Sequence, residues 1–147
     1  MAEQHADHAG SPHAHDGHLR LMVVTPEMTL LDELAEFVAL PLFDGEIGIA
    51  PKHSPMIGRL GFGEMRVTTE GRVRRYYLDG GFVQVVDNVV SVLTNRALPA
   101  AQLDPAVAME QLESARRRPA NTPELMTIRD RAETQARAQL RVARHAS

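Results

Sequence analysis

The residues whose side chains could carry out chemistry are mainly histidines. The chain has seven histidines and no cysteine, which excludes a disulfide framework, a thiolate metal site and a cysteine nucleophile. Imidazole nitrogens bind zinc, nickel or copper, and a group of histidines lies near the first residue: His5, His8, His13, His15 and His18. Their spacing is irregular and no carboxylate cluster completes a defined site. Residues 1–18 are therefore predicted to be a disordered extension, because their composition cannot bury enough apolar surface to offset the ordering entropy.

Catalytic machinery is not indicated elsewhere in the sequence. His53 is the only histidine between residues 19 and 103, and Glu46 lies seven residues before it. The two could form an acid–base dyad, but a loop histidine bonded to the backbone, or one in a docking contact, is the simpler interpretation. The serines lack the strand–turn–helix context of a nucleophile, and the glycine pairs do not precede a helix as a phosphate-binding loop would. The sequence thus predicts no catalytic residues, no cofactor and no metal site.

The segment around His53 is the most informative part of the chain. It begins with a turn signal at Asp44 and continues with an alternation through Ile47 and Ile49, which predicts a short strand. Pro51 and Pro55 then fix their own backbone angles and favour extended conformations in the residues before them. We expect a turn, a short strand and a stiff polar loop, an arrangement that suits docking to a partner.

Size and composition limit the possible architectures. With 147 residues, 44% hydrophobic but only 4% aromatic and no Trp, the chain can form one domain, or a smaller domain with an appendage, around a core of Val, Leu, Ile and Met. No apolar run approaches the roughly 18 residues that a membrane-spanning helix needs, and the first residues lack the features of a signal peptide. The net charge of -3 disfavours nucleic-acid binding. A soluble, cytoplasmic protein is expected.

Short apolar segments separated by turn signals predict a mainly β structure up to residue 94. In chain order the predicted features are a strand over 19–24; two strands between 29 and 42 joined by an acidic turn at Asp32-Glu33; strands over 56–60 and 63–68 separated by Gly61-Phe62-Gly63; a turn at Glu70-Gly71 into a strand over 72–78; a turn at Asp79-Gly80-Gly81 into a strand over 82–86; and a turn at Asp87-Asn88 into a strand over 89–94. Closely spaced turns between short Val-rich strands are typical of an antiparallel β-sandwich or barrel.

From residue 104 the hydrophobic period changes to that of helices. Asp104 followed by Pro105, and Thr122 followed by Pro123, resemble N-caps with proline at the first helical position. Two helices with a short connection form an antiparallel hairpin. Its predicted apolar stripes are Ala108, Leu112 and Ala115 in the first helix, and Leu125, Ile128, Ala132, Ala136, Leu140 and Ala143 in the second. Such Ala-rich stripes bury little area, so we expect the hairpin to be marginal alone and to dock reversibly. The predicted organisation is an extension over 1–18, a β-sandwich over 19–103 and a regulatory helical hairpin over 104–147.

Three motifs in this order resemble the signature of the epsilon subunit of F-type ATP synthases. The first is Gly-Glu-Ile-Gly-Ile at 45–49 with Pro51, His53, Pro55 and Met56; the second is Tyr-Leu-Asp-Gly-Gly-Phe-Val-Gln-Val at 77–85; the third runs from 89 to 97. The resemblance extends from residue 19 to the C-terminus. It implies an N-terminal β-sandwich followed by a C-terminal helical hairpin that folds against the sandwich or extends along the rotor shaft.

The resemblance also implies a function and partners. The chain would be a non-catalytic subunit of the central rotor that joins the gamma subunit to the ring of c subunits, peripheral to the cytoplasmic face of a bacterial inner membrane. By matching positions, Gly45 and Glu46 would meet the polar loops of the c ring, where we expect Glu46 to pair with a basic residue. The residues expected to contact gamma are Thr25, Lys52, His53, Ser54, Pro55 and Met56.

A further implied role is restraint of ATP hydrolysis by an extended tail that contacts the beta and alpha subunits. The candidate basic residues are Arg116, Arg117, Arg118, Arg129, Arg131, Arg137, Arg141 and Arg144, of which Arg137, Arg141 and Arg144 share one helical face. The Ile/Leu-Asp-x-x-Arg-Ala motif, through which some bacterial members bind ATP, survives here only in Leu103 and Asp104. Val107 replaces its arginine, so weak or absent ATP binding is expected.

One alternative belongs to a different functional class. The chain could be a free-standing β-sandwich module that binds metal through its His-rich extension and uses its helices as a dimer contact. That alternative predicts metal-dependent behaviour and no ATP synthase partner. The epsilon-like interpretation instead predicts copurification with gamma whether or not residues 1–18 are present.

Overall fold

The computed structural model describes residues 17–146. The strands are β1 Leu19–Val24, β2 Thr29–Ala35, β3 Phe37–Leu42, β4 Gly45–Ile49, β5 Met56–Thr69, β6 Arg72–Val86, β7 Val89–Leu93 and β8 Ala97–Pro99. A 3-10 turn, Ala100–Gln102, leads into two helices, α1 Pro105–Arg116 and α2 Pro123–Ala146. The prediction of a mainly β structure followed by two helices is confirmed.

The strands form one continuous sheet with the order β2-β1-β7-β6-β5-β3-β4, and β8 pairs with β6. β1 and β7 run parallel, whereas the other pairs are antiparallel. The sheet folds over on itself, because strands from its two ends contribute to a single core. Leu19 and Leu21 of β1, Val38 and Leu40 of β3, and Ile49 of β4 are all fully buried in that core. This arrangement is the predicted β-sandwich.

Glycines bend the two longest strands where the sequence predicted turns. β5 continues through Gly61-Phe62-Gly63, and β6 continues through Asp79-Gly80-Gly81, so the two predicted turns are wrong. Gly80 and Gly81 have φ angles of 75° and 114°, which L-residues rarely adopt. A Cβ atom at Gly81 would also collide with the backbone carbonyl of Leu93. Leu60 pairs with Gly81 and Phe62 with Asp79, so the two strands keep one register across the glycines although Gly61 and Gly80 do not pair.

The predicted acidic turn at Asp32-Glu33 is also wrong. Both residues lie within β2, and the chain bends at Glu36 instead. Asp32 accepts two hydrogen bonds of 3.0 Å from Arg20 of β1, and Glu33 pairs with Arg74 of β6. The hydrogen bonds from Arg20 hold the pKa of Asp32 below its ordinary value. Cross-strand arginines therefore allow two adjacent carboxylates to lie in a strand rather than a turn.

Both helices start at the predicted caps. The Asp104 side chain accepts a 2.9 Å hydrogen bond from the Ala106 N–H, and the Thr122 hydroxyl accepts one of 3.1 Å from the Leu125 N–H. α1 and α2 form the predicted hairpin around a cluster of Ala108, Leu112, Ala136 and Leu140. One stripe position is wrong: Ile128 is 52% exposed, and the half-buried neighbour Arg129 occupies that face instead.

The second helix is buried on two sides. Besides its contact with α1, it packs Ala138 and Val142 onto Tyr77 of β6 and Ala100 of the 3-10 turn. Small side chains at these positions let the helix approach the sheet closely. The hairpin is therefore folded against the sandwich in this structure.

Candidate docking surfaces

The loop around His53 is held by hydrogen bonds to the backbone and to a neighbouring turn. Lys52 adopts a φ of 69°, and its N–H donates a 2.6 Å hydrogen bond to the Asn88 side-chain oxygen in the turn between β6 and β7. The His53 N–H donates to the Ala50 carbonyl at 3.2 Å, and its Nδ1 lies 2.7 Å from the Ser54 carbonyl oxygen. The loop thus presents a fixed backbone while its polar side chains stay largely at the surface.

Thr25 is not brought together with that loop. It is buried, with 8% of its surface exposed, and both its N–H and its hydroxyl donate to the Met28 carbonyl at 2.9 and 3.2 Å. It follows the C-terminal end of β1, which lies beside Leu93, whereas the turn at Asn88 lies beside the N-terminal end. The predicted gamma-contact set therefore occupies opposite ends of this part of the sheet.

Between these two ends lies an apolar surface that the sequence reasoning missed. Phe82 pairs with Arg59 of β5 and Leu93 of β7, and Ile57 lies two residues before Arg59 on the same face. Ile57, Phe82 and Leu93 are 79%, 59% and 55% exposed. Phe43, also exposed, stacks under the Arg59 guanidinium at 5.3 Å. We call Ile57, Phe82 and Leu93 the apolar stripe. An exposed row of large apolar side chains on adjacent strands is the type of surface that binds a partner protein.

Glu46 is already paired within its own chain. Arg66 of β5 donates to both oxygens of its carboxylate, at 3.0 and 3.1 Å. The hydrogen bond to Glu46 is the main cause of a raised Arg66 pKa. Gly45 precedes it at the first position of β4, and the described residues place no bond between Glu46 and His53. The geometry offers a fixed, half-exposed carboxylate rather than an acid–base dyad.

The basic residues of the hairpin are distributed over several environments. A groove of about 1200 Å³ separates α2 from the sandwich, and its lining includes Arg131, Arg137, Arg141 and Arg144. Arg137, Arg141 and Arg144, which were predicted to share one helical face, thus line the same groove. The remaining candidates lie elsewhere: Arg116 near Glu133 at 3.4 Å, Arg129 near Asp130 at 3.4 Å, Arg117 at the end of α1, and Arg118 beside a smaller polar pocket.

A partly buried polar network joins the hairpin to the sandwich, and sequence reasoning missed it as well. The Tyr77 hydroxyl donates to Asp79 Oδ1 at 2.9 Å, and the Gln135 amide of α2 donates to the same oxygen at 2.6 Å. Burial raises the pKa of the Tyr77 hydroxyl far above its ordinary value. Asp79 thus acts as a shared acceptor that fixes the register of α2 on β6.

The positions left from the ATP motif serve the fold. Asp104 caps α1, and Leu103 packs against the Tyr77 cluster. Val107 is 47% exposed on the outer surface of α1. Within residues 17–146, no cluster of His, Asp or Glu could hold a metal ion; the His-rich segment before His18 lies outside the described residues. No described helix is both long and apolar enough to cross a bilayer.

The fold defines a class of protein: a β-sandwich with a docked helical hairpin. Residues 18–100 match the family model described as the ATP synthase, Delta/Epsilon chain, beta-sandwich domain. The chain is 52% identical over 126 residues to the ATP synthase epsilon chain of Rhodopirellula baltica, covering 86% of this chain and 98% of the relative. It is 43% identical over 102 residues to that of Desulfitobacterium hafniense, covering 69% and 77%. The chain belongs to the ATP synthase epsilon chain family, and the resemblance noted from its motifs is confirmed.

Solved structures agree on the fold. A chain of the Euglena gracilis mitochondrial ATP synthase, in a structure containing OSCP, F1 and the c-ring, superposes with a TM-score of 0.74 at 23% identity and covers 93% of this chain and 85% of its own length. A chain of the Tetrahymena thermophila mitochondrial ATP synthase central stalk and c-ring gives a TM-score of 0.69 at 13% identity, covering 85% and 96%. At these identities, the likeness concerns the fold.

Proposed function

We propose that this chain is a non-catalytic subunit of the central stalk of an F-type ATP synthase. In this role, the sandwich joins the gamma subunit to the c ring and so couples proton flow to ATP synthesis in the catalytic head. Family membership supports this assignment, and the two structural neighbours are chains of assemblies of the same kind. The complex would place the chain on the cytoplasmic face of a bacterial inner membrane, peripherally and through its partners.

The observation that carries the docking role is the apolar stripe. Three large side chains on adjacent strands are more than half exposed, although the same strands bury Val83, Val85 and Val92 almost completely on their other face. A partner that covered the stripe would remove this apolar surface from water, which is the main favourable term in protein association. The fixed loop at Lys52–Met56 lies beside Ile57, and we propose that loop and stripe together form the gamma-binding surface.

The proposed c-ring contact at Glu46 involves a carboxylate that is already paired within the chain. Because Arg66 already holds the carboxylate through two hydrogen bonds, a basic residue of the ring would have to share Glu46 with Arg66 rather than meet a free charge. A network of this kind is stronger than an isolated exposed pair. Glu46→Gln is expected to weaken coupling between proton flow and rotation. If this variant assembled into the rotor and coupled as the unchanged chain does, Glu46 would have no role in the c-ring contact.

The docking role is tested with a matched pair of substitutions. Leu93 in the stripe and Val73 on the first part of β6 are 55% and 50% exposed. Asp at either position should therefore destabilise its strand by a similar amount. Leu93→Asp should weaken binding to purified gamma by about tenfold or more, as loss of an interface anchor does, whereas Val73→Asp should not. Equal affinities for the two variants would contradict the proposed surface.

We further propose that the helical hairpin restrains ATP hydrolysis. Its arginine-rich face, Arg137, Arg141 and Arg144, lies towards the groove in the folded form and would become available to acidic segments of the beta subunit when the hairpin extends. Exposed ion pairs contribute only about 0.2–1 kcal/mol each, so several must act together.

Add-back to an epsilon-depleted catalytic head tests this second role. The full chain should inhibit ATP hydrolysis, and a chain ending at Leu103 should still bind gamma without inhibiting. Binding without inhibition by either chain would leave a purely coupling subunit. Absence of binding by both would contradict the stalk assignment itself. A variant with the hairpin charges in scrambled order but with unchanged inhibition would refute the electrostatic basis of inhibition.

A further inference from the structure

The turn between β6 and β7 presents one of its two central side chains to the rest of the chain. These residues, Asp87 and Asn88, have φ angles of 51° and 63°. Positive φ at both central positions is the geometry of a two-residue hairpin turn, and Asp and Asn are among the few residues besides glycine that tolerate it. Asp87 is exposed, whereas Asn88 is partly buried. Asn88 is therefore the turn residue that is able to hold a neighbouring segment.

Asn88 joins the turn to two other segments through its two oxygen atoms. Its backbone carbonyl accepts a 2.8 Å hydrogen bond from the Arg20 N–H of β1. Its side-chain oxygen accepts a 2.6 Å hydrogen bond from the N–H of Lys52, which lies 36 residues earlier in the loop between β4 and β5. A substitution that keeps the turn would leave the first bond in place. It would remove the second only if the new side chain lacked an acceptor.

The loop on the other side of this bond contains a residue with an unfavourable backbone conformation. The His53 N–H donates to the Ala50 carbonyl at 3.2 Å, which closes a turn with Pro51 second and Lys52 third. Lys52 has a φ of 69°, and a type II turn requires a positive φ at its third position, where glycine or asparagine is usual. A lysine in this conformation costs energy. The bond to Asn88 offsets that cost and ties the loop to the sandwich.

We propose that Asn88 is a positioning residue for the gamma-binding surface. The loop over 52–56 runs directly into Ile57, so the conformation of the loop decides which of its side chains lie beside the apolar stripe. A loop that is ordered before binding loses less conformational entropy when the partner arrives. Asn88 acts through the Lys52 backbone and requires no contact with gamma. This inference rests on the docking role proposed above for loop and stripe.

The first test uses the full-length chain alone and compares glycine at the two turn positions. Asn88→Gly and Asp87→Gly both place glycine at a positive φ, which glycine adopts readily, but only Asn88→Gly removes the acceptor for Lys52. The Lys52 amide should exchange with water about three- to tenfold faster in Asn88→Gly, the range expected for loss of one hydrogen bond. It should be unchanged in Asp87→Gly. Equal Lys52 exchange in the two variants would overturn the anchor.

The Arg20 amide is the internal reference for this measurement. Its acceptor is the backbone carbonyl of Asn88, so its exchange should not change in Asn88→Gly. A loss of protection there as large as at Lys52 would show that the whole turn had loosened, which would contradict a specific anchor. Asn88→Asp supplies a side-chain oxygen at the same position and tolerates the same φ, so it should restore slow Lys52 exchange. Fast exchange in this conservative variant would refute the hydrogen bond as the cause.

Binding to purified gamma tests the consequence for docking. The dissociation constant should rise by about three- to tenfold in Asn88→Gly, because molecules with a disordered loop must first order it. Asn88→Asp and Asp87→Gly should bind as the unchanged chain does, at about 0.15 M salt to screen the altered charges. An unchanged dissociation constant in Asn88→Gly, together with faster Lys52 exchange, would overturn the positioning role.

Leu93→Asp in the same binding assay separates failure of the anchor from failure of the proposed surface. If Leu93→Asp weakens binding and Asn88→Gly does not, the surface stands and the positioning role is refuted. If neither variant weakens binding, the proposed surface fails, and the positioning role fails with it.

Discussion

Replacing Val142 by Ala tests whether the hairpin opens independently of the sandwich. Val142 is 2% exposed and packs with Ala138 against Tyr77. The substitution removes two methyl-sized groups at about 0.8 kcal/mol each, and a residual cavity brings the cost to about 2 kcal/mol. The better helix propensity of Ala returns about 0.5 kcal/mol. We expect a net loss of about 1.5 kcal/mol, which lowers the ratio of docked to open hairpin by about tenfold.

The matched control is Val107→Ala in α1, where the side chain is 47% exposed. It makes the same chemical change and gains the same propensity, so its net effect should be close to zero. Hydrogen exchange of α2 should report the tenfold loss for Val142→Ala, while β1 amides keep their protection. If β1 loses protection by the same factor, hairpin and sandwich unfold as one unit and the reasoning about reversible docking is refuted. No loss in α2 would refute the packing argument.

Three further substitutions test the sandwich and the junction. Gly81→Ala should lower the free energy of unfolding by about 2–4 kcal/mol, because it combines an unfavourable φ with a collision against the Leu93 carbonyl. Gly71→Ala has an unfavourable φ but meets open space, so it should cost only about 1 kcal/mol. Chemical denaturation measures both values. Asp32→Asn should lower stability at neutral pH and have no effect well below pH 4, because the depressed pKa of Asp32 favours the fold only above that range; acid titration of both chains measures this. The unchanged protein should lose stability above about pH 10, because the raised pKa of Tyr77 favours the fold only while the hydroxyl is neutral. Tyr77→Phe should abolish this loss, and alkaline unfolding of both chains tests it.

Local signals in the sequence predicted the helices well and the strands less well. The caps at Asp104 and Thr122 depend on residues two and three positions away, so their geometry is encoded within a few residues. Glycines at 61–63 and 79–81 gave the same local signal as a turn, yet there the strands bend and continue. What decides between the two outcomes is pairing with distant strands, and a local pattern does not contain that information.

The docking surfaces show a similar limit. The stripe was missed because β5 and β6 carry large apolar residues on both faces, so alternation does not reveal which face is buried until the sheet folds over. The polar junction was missed because Gln135 and Asp79 lie 56 residues apart. Its one available signal was the position of Asp79 directly before two glycines, which suggested a turn rather than a shared hydrogen-bond acceptor.

Placing the stripe and the hairpin on different parts of the sheet has a functional consequence. The stripe lies where the second half of β6 pairs with β7, whereas the hairpin packs on Tyr77 in the first half of β6, where β8 pairs. Movement of the hairpin would therefore leave the stripe in place. α2 contacts the sandwich through the small side chains of Ala138 and Val142, a hydrogen bond from Gln135 and the stacking of Arg131 on Phe62, so each single contact is a substantial part of its docking energy. A subunit that binds the rotor through the proposed stripe would keep that contact while its hairpin docks and undocks.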